Sequence, residues 1–258
     1  MRRRRITLIM AILLSVLFAA IPLSAQEAAA PAAEAGPSLN LNLGGENGGA
    51  RLDVAIEIVL LMTVLSLAPA LLVLLTSFTR IVIVLGFLRQ ALGTQQMPAN
   101  QILIGLALFL TVVIMAPVFQ QVNADAVQPY LNEEIGQGEA FNRAQGPLKE
   151  FMLRQVREKD VALFLDLTGQ EAPETPEELS LMIVIPSFVL GELKTAFQMG
   201  FVLFLPFLVI DMVVASVLMS MGMMMLPPAL ISLPFKVLLF VLVDGWYLIA
   251  RSLVMAFQ

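Results

Sequence analysis

The sequence predicts an all-α, membrane-associated protein built from helical hairpins. Of its 258 residues, 59% are hydrophobic and 14% are charged, whereas average globular domains carry about 25% charged residues. The few charges leave long uncharged runs, and no segment alternates apolar and polar residues as a half-buried strand does. Helices that are apolar over the length of a bilayer are therefore expected to recur along the chain.

The composition also excludes most kinds of catalytic site. The chain contains no Cys and no His. It therefore lacks a thiolate nucleophile, a zinc-thiolate site and a Ser-His-Asp triad. No Gly-rich loop followed by Lys-Ser/Thr is present to cradle a nucleotide phosphate. We expect no enzymatic activity, no catalytic residue, no cofactor and no metal site.

The first 25 residues have the three parts of a secretory signal peptide. A basic start, Met1–Arg5, is followed by an uncharged apolar run, residues 6–21, and then by small residues that predict cleavage after Ala25. The alternative is an uncleaved membrane helix, but the apolar run is shorter than the ~20 residues that a span requires. Cleavage would remove four Arg and leave 11 basic against 20 acidic residues, a net charge of −9. A nucleic-acid partner is not expected for so acidic a chain.

Residues 26–51 are rich in Ala, Gly, Pro and Asn and are interpreted as a flexible tether. A first apolar helical hairpin is predicted for residues 52–120. Its arms are the uncharged residues 58–79, which would span ~33 Å as a helix, and the apolar residues 102–119. Residues 80–90 lie between the arms and carry two Arg and no acid, so we interpret them as a basic cytoplasmic loop.

Residues 121–180 differ sharply, with 12 acidic and 5 basic residues. We expect a polar helical domain on the periplasmic side of the membrane. Thr175-Pro176-Glu177-Glu178 has the pattern of a helix start. Apolar residues at helical spacing predict an amphipathic helix that contains Leu148, Phe151, Met152, Val156, Leu163, Phe164 and Leu167.

A second apolar hairpin is predicted for residues 181–258. Pro227-Pro228 marks its turn, with one arm near Lys194–Met221 and the other near Pro228–Phe257. Charges inside such segments are costly and usually functional or paired. The charged residues in or beside these apolar runs are Glu192, Lys194, Asp211, Lys236 and Asp244.

These charges are compatible with a proton or ion relay and with a structural network of ion pairs. Asp211 lies 12 to 14 residues before the turn and Lys236 lies 11 to 13 after it, so the two should pair at similar depth across the hairpin. An intramembrane aspartyl protease is a weaker interpretation, because neither Asp211 nor Asp244 lies in the sequence context of those enzymes.

The turn of this hairpin is rich in methionine. Seven of the 15 Met lie between residues 199 and 225, and Met223, Met224 and Met225 are consecutive. Methionine is flexible and polarizable and commonly fills gaps in a core. At a hairpin tip flanked by Gly222 and two prolines, the run would instead suit a deformable constriction if several chains formed a ring.

Long runs of this sequence closely resemble the FliP family, the flagellar biosynthetic proteins of the type III export gate. The runs are TSFTRIVIVLGFLRQALGTQQ at residues 76–96, ELKTAFQMGF at residues 192–201 and the block of residues 204–246. The resemblance covers roughly residues 52–257 and excludes the tether. The signal peptide also resembles the flagellar branch of this family.

The resemblance implies a function that composition does not reveal. FliP-like proteins form a pentameric, ring-shaped export gate with FliQ and FliR in the flagellar basal body of the bacterial inner membrane, alongside other membrane proteins of the export apparatus. Unfolded rod, hook and filament proteins leave through its gated pore. The family's pore gasket falls on Met221, Met223, Met224 and Met225, and its buried charged positions fall on Glu192, Asp211 and Lys236. The alternative function is an ion channel or secondary transporter that uses Asp211 and Lys236.

Overall fold

The computed structural model describes residues 73–94, 97–223 and 226–257, with residues 59, 62–63, 66–67 and 69–71 before them. The predicted signal peptide and tether lie outside the described residues. The chain divides into two units, Met1–Ala70 and Leu71–Gln258, and the helices below belong to the second. Every regular element in the described ranges is helical, which confirms the predicted fold class.

Two helices follow one another at the start of this unit. Helix α1 spans Phe78–Leu92 and ends at Gly93, whose φ of 76° is left-handed. Helix α2 spans Asn100–Val122 and continues through a π-helical turn, Asn123–Val127, into the short α3, Gln128–Leu131.

The interpretation of residues 80–90 as a loop is wrong, because they lie in α1. Ile81, Val84, Leu85 and Leu88 recur at the spacing of one helix face and are buried. This apolar periodicity decides the structure of the segment. The two Arg are side chains of a packed helix, so they provide no evidence for the topology of a loop.

The acidic region forms two helices, α4 (Gln137–Gln155) and α5 (Glu158–Thr168). The single amphipathic helix expected across residues 148–167 is wrong, because Val156 and Arg157 have extended backbones that separate α4 from α5. Leu167 is accordingly 71% exposed. The predicted helix start at Thr175 is only a 3₁₀ turn, Pro176–Glu178, without a side-chain cap.

The second hairpin begins with α6, a 40-residue helix over Leu181–Ser220. The hydroxyl of Ser180 caps its start by accepting a hydrogen bond from the Met182 N–H at 3.3 Å. The returning arm is two helices, α7 (Pro228–Leu242) and α8 (Gly245–Met255), which meet at an angle of 63°. Asp244 lies at this bend with a left-handed φ of 51°.

Helix α1 lies at the centre of the packing. One apolar cluster surrounds it and contains Ile81, Val84, Leu85, Leu88, Leu103, Ala107, Leu110, Ala196, Phe207, Phe240 and Leu253. A second cluster joins the polar helices to α2 and to the start of α6, and it contains Met115, Val118, Phe151, Met152, Leu165, Leu179, Ile183, Val184 and Phe188.

Two helices of the described part are long and apolar enough to cross a membrane, by length and composition. They are Asn100–Leu131, which joins α2 to α3, and Leu181–Ser220. The number rises to four if each of two bent helix pairs counts as one span. In the most apolar 18-residue stretch of the first helix, 33% of the residues are buried within the chain. In the corresponding stretch of the second helix the buried share is 11%.

Gly200 allows α6 to approach α1 closely. A Cβ at this position would lie 2.4 Å from Cδ2 of Phe87, which is closer than van der Waals contact permits. We expect Gly200→Ala to destabilise the protein by about 1–3 kcal/mol, the usual effect of overpacking a core. Thermal unfolding of the detergent-purified chain, followed by circular dichroism, measures the change.

Gly86→Ala is the matched control, because Gly86 is also helical but a Cβ added there would meet nothing within 4 Å. It should stabilise the chain by about 0.5–1 kcal/mol through the higher helix propensity of Ala. In a Phe87→Ala background, Gly200→Ala should destabilise the chain less than it does in the unaltered chain, because the added Cβ no longer meets the Phe87 ring. Equal stability of the two single variants would contradict the close approach.

Candidate functional site

Arg80 in the first turn of α1 forms a buried ion pair with Glu192 of α6. The Arg80 side chain is 3% exposed and that of Glu192 is 1% exposed. Nε of Arg80 donates to Oε2 of Glu192 at 2.9 Å, and Nη2 donates to Oε1. The contact is therefore bidentate, the geometry in which a guanidinium and a carboxylate bind most strongly.

The remaining donors of Arg80 reach other parts of the chain. Nη2 donates to Oε1 of Gln155, at the end of α4, at 3.0 Å, and Nη1 donates to the Ala256 carbonyl at 3.1 Å. The guanidinium also lies 3.8 Å from the ring centre of Phe257, which stacks on Phe151. One arginine thus connects α1, α4, α6 and the segment after α8.

This arrangement favours a structural role for Glu192. An arginine stays protonated at every physiological pH, so it does not exchange a proton with its partner. Removing one member of such a pair leaves a buried charge without compensation. The Arg80–Glu192 pair therefore holds helices together, and nothing in its geometry resembles a relay.

A second ion pair joins the two arms of the hairpin. Nζ of Lys236 on α7 donates to Oδ2 of Asp211 on α6 at 2.6 Å. The hydroxyl of Ser232, one turn before Lys236, donates to Oδ1 of Asp211 at 2.6 Å. Asp211 and Lys236 thus pair across the hairpin, at the matched depth expected from their distances to the turn.

Lys236 also binds the end of α1. Its Nζ donates to the Ala91 carbonyl at 3.1 Å, and it is 4% exposed. Ala91 is in the last turn of α1, where helix carbonyls lack intrahelical partners and the helix dipole is negative. A buried ammonium therefore compensates the carbonyl end of α1 while it binds the Asp211 carboxylate.

The sequence grouped Glu192, Asp211 and Lys236 into one buried charge network, and that grouping needs correction. Glu192 binds Arg80, whereas Asp211 binds Lys236, so the three residues belong to two separate pairs. The pairs lie at opposite ends of α1. Lys194 and Asp244, the other charges considered, are exposed.

The methionine-rich turn begins with a Schellman motif, a helix end closed by a left-handed glycine. Gly222 has a φ of 73°, the Met223 N–H donates to the Leu218 carbonyl at 3.0 Å, and the Gly222 N–H donates to the Met219 carbonyl at 3.1 Å. Pro228 then occupies the first position of α7. Backbone geometry therefore ends one arm and starts the other at defined residues.

The structure describes two of the four candidate gasket residues. Met221 is 66% exposed and Met223 is 40% exposed within the single chain. Met224 and Met225 lie outside the described residues. Neither Met221 nor Met223 is a core filler of its own chain, so both are available to neighbouring molecules.

Sequence reasoning missed three residues of these clusters: Arg80 as the partner of Glu192, and Gln155 and Ser232 as polar neighbours. A signal for Arg80 existed, because Glu192 lies in an apolar helix and required a cation, and Arg80 heads an apolar helix face. Gln155 and Ser232 carry no charge, and their contacts follow only from the tertiary packing.

Comparison with known proteins identifies relatives over nearly the whole chain. The sequence profile of the FliP family matches residues 61–253. The flagellar biosynthetic protein FliP of Bacillus subtilis is 54% identical over 217 residues, which cover 84% of this chain and 98% of the relative. Its counterpart from Caulobacter vibrioides is 54% identical over 248 residues, 96% of this chain and 91% of the relative. The FliP of Aquifex aeolicus is 47% identical over 224 residues, which cover 86% of this chain and 92% of the relative.

The buried pair makes a quantitative prediction. Arg80→Ala and Glu192→Ala should each destabilise the chain by about 3–5 kcal/mol, because each leaves a buried charge unpaired. Arg80→Lys should restore little, since an ammonium cannot reproduce the bidentate contact and the bonds to Gln155 and Ala256. Thermal unfolding of the purified chain measures these differences.

The matched control is Arg143→Ala, which removes an ion pair with Glu139 whose side chains are 46% and 54% exposed. Arg143→Ala should change the free energy of unfolding by less than about 1 kcal/mol, because exposed ion pairs typically contribute about 0–1 kcal/mol. The double variant Arg80→Met/Glu192→Leu should regain most of the stability lost in either single variant. Single Arg80 and Arg143 variants of equal stability would refute the structural role of the buried pair.

Proposed function

This chain belongs to the FliP family of flagellar biosynthetic proteins, and we propose that it is a core subunit of the flagellar type III protein export gate. In this role it forms part of a gated pore through which unfolded rod, hook and filament proteins leave the cytoplasm. It acts as a structural conduit and catalyses no reaction. Its place is the bacterial inner membrane, within the flagellar basal body, after cleavage of the signal peptide at Ala25.

The observation that carries this proposal is the length of the exposed apolar surface on α6. Exposed apolar side chains occur from Met182, 81% exposed, to Met219, 59% exposed. At 1.5 Å per residue this distance is about 56 Å. The hydrocarbon core of a bilayer is about 30 Å thick, so lipid could cover only about half of that length.

Protein neighbours are therefore needed to cover the rest of α6, since soluble monomers rarely expose continuous apolar patches larger than a few hundred Å². The sequence resemblance indicates which neighbours these are. We propose that five copies of this chain surround the pore and that FliQ and FliR complete the assembly. Other membrane proteins of the export apparatus then bind this complex.

We further propose that the methionine turn closes the pore. Met221 and Met223 are part of the Schellman motif that ends α6, and Met224 and Met225 come next in the sequence, before the proline-initiated α7. Five such turns would form a collar of flexible, apolar side chains. A collar of this kind blocks ions at rest and can repack around a passing chain of any sequence.

The alternative, an ion channel or transporter based on Asp211 and Lys236, has less support. Lys236 already donates to the Asp211 carboxylate and to the Ala91 carbonyl, and Ser232 donates to the other carboxylate oxygen. These contacts stabilise both charges in place. A transport role would require the same groups to release one another in each cycle.

Native mass spectrometry tests the proposed assembly directly. The protein is expressed alone and together with FliQ and FliR, purified in detergent and weighed intact. We expect a discrete ring with five copies of this chain that incorporates both partners. A monomer or dimer that binds neither partner would contradict the proposal, and ion-flux assays on Asp211→Asn would then test the transporter.

The gasket is tested by replacing Met223, Met224 and Met225 with Ala in the assembled complex. The complex should still form, but liposomes containing it should leak small ions, because small side chains leave a gap where flexible ones had closed the pore. The control is Met182→Ala/Met255→Ala, which shortens two exposed methionines outside the turn and should preserve the barrier. An intact ion barrier in the triple variant would exclude the gasket.

A further inference from the structure

The polar helices form a groove to which the proposed export role assigns no function. The groove is a concave space of about 500 Å³ between the end of α4, helix α5 and the segment that follows α5. Its apolar lining includes Leu153, Val156, Val161, Leu165 and Leu179. Leu165 and Leu179 form its buried floor, at 9% and 7% exposure.

The residues around the groove carry a net negative charge. Glu158 and Glu174 line the groove directly. From residue 153 to residue 179 the chain has seven acidic residues and three basic ones, Arg154, Arg157 and Lys159, and Lys149 donates to the Glu177 carbonyl nearby. Asp160 is buried and paired with Arg157, whereas the other six acidic residues are exposed: Glu158, Asp166, Glu171, Glu174, Glu177 and Glu178.

We propose that this acid-rimmed groove binds an amphipathic helical segment of a partner protein, with apolar side chains on one face and Lys or Arg beside them. The volume falls within the ~300–1,000 Å³ range of ligand sites. It suits a few large apolar side chains, the kind that one face of a helix presents at positions i, i+3 and i+4. The acids around the groove then contact the basic residues and favour partners of that charge.

Charge distinguishes this partner from other possible occupants. Anionic lipid head groups would be repelled by the exposed carboxylates, which excludes the surface of an anionic membrane. The apolar hairpin of a second copy does not fit either, since its longest run, residues 212–235, has no basic residue to match the rim. A basic amphipathic protein segment satisfies both the apolar floor and the acidic rim.

A synthetic peptide tests the groove on the full-length chain, whether or not that chain is a pore subunit. The probe is a fluorescent helical peptide with Leu on one face and Lys on the other. The chain is reconstituted in nanodiscs of zwitterionic lipid, and empty nanodiscs give the baseline. We expect saturable binding by fluorescence anisotropy, and no binding of the same peptide with Glu in place of Lys.

Three variants and two controls locate the binding. Ala162→Phe and Ala172→Trp fill the groove from two different elements, α5 and the segment after it, and each should weaken binding at least tenfold, so a folding defect in one does not decide the test. Glu158→Gln/Glu174→Gln should weaken it about fivefold, because each exposed charge pair contributes about 0.2–1 kcal/mol. The controls Ala124→Phe and Glu134→Gln/Glu139→Gln alter exposed residues outside the groove and should leave binding unchanged.

Three outcomes of the peptide experiment would overturn the proposal. They are the absence of binding above the empty-nanodisc baseline, equal binding by the filled and control variants, and equal binding of the acidic peptide. The chain has no natural Cys, so a single Ala172→Cys variant also reports contacts between copies. A disulfide between two copies at this position would assign the groove to a homo-oligomer contact and reject the partner segment.

Discussion

The packing of this chain depends on one buried arginine. Arg80 is enclosed by apolar helices, and its charge is tolerated only because Glu192, Gln155 and the Ala256 carbonyl accept its hydrogen bonds. Those acceptors belong to elements that are distant in sequence, so the arginine specifies which helices meet. The apolar cluster around α1 and the second cluster beneath the polar helices then supply the cohesion that the charge alone could not provide.

Sequence reasoning succeeded where a local pattern determines the structure. Long apolar runs predicted an all-helical chain, and the equal distances of Asp211 and Lys236 from the proline turn predicted their pairing. Prediction from sequence failed where tertiary contacts, and not local patterns, determine which residues pair. Sequence alone places Arg80 in a loop because its partner lies 112 residues away, and the break at Val156 leaves no mark in an otherwise helical periodicity. The grouping of Glu192 with Asp211 failed for the same reason, since only the packing shows that Glu192 pairs with Arg80 and that Asp211 pairs with Lys236.

The distribution of charge along the fold is consistent with a subunit that works in an assembly. Arg80, Glu192, Asp211 and Lys236 are paired within the chain, and the outer surface of α6 presents mainly large apolar side chains to its neighbours. The polar helices instead display an excess of carboxylates. One end of the molecule is thus suited to tight apolar packing, and the other to contacts selected by charge.

The contacts of Lys236 restrict how the helices can move relative to one another. By binding Asp211 and the Ala91 carbonyl together, it couples α1, α6 and α7, so a force on either arm of the hairpin is shared by all three helices. Arg80 provides the corresponding coupling about 17 Å away along α1. The hairpin is therefore anchored to α1 at both ends of that helix, and α6 cannot slide along α1 without separating one of these contacts.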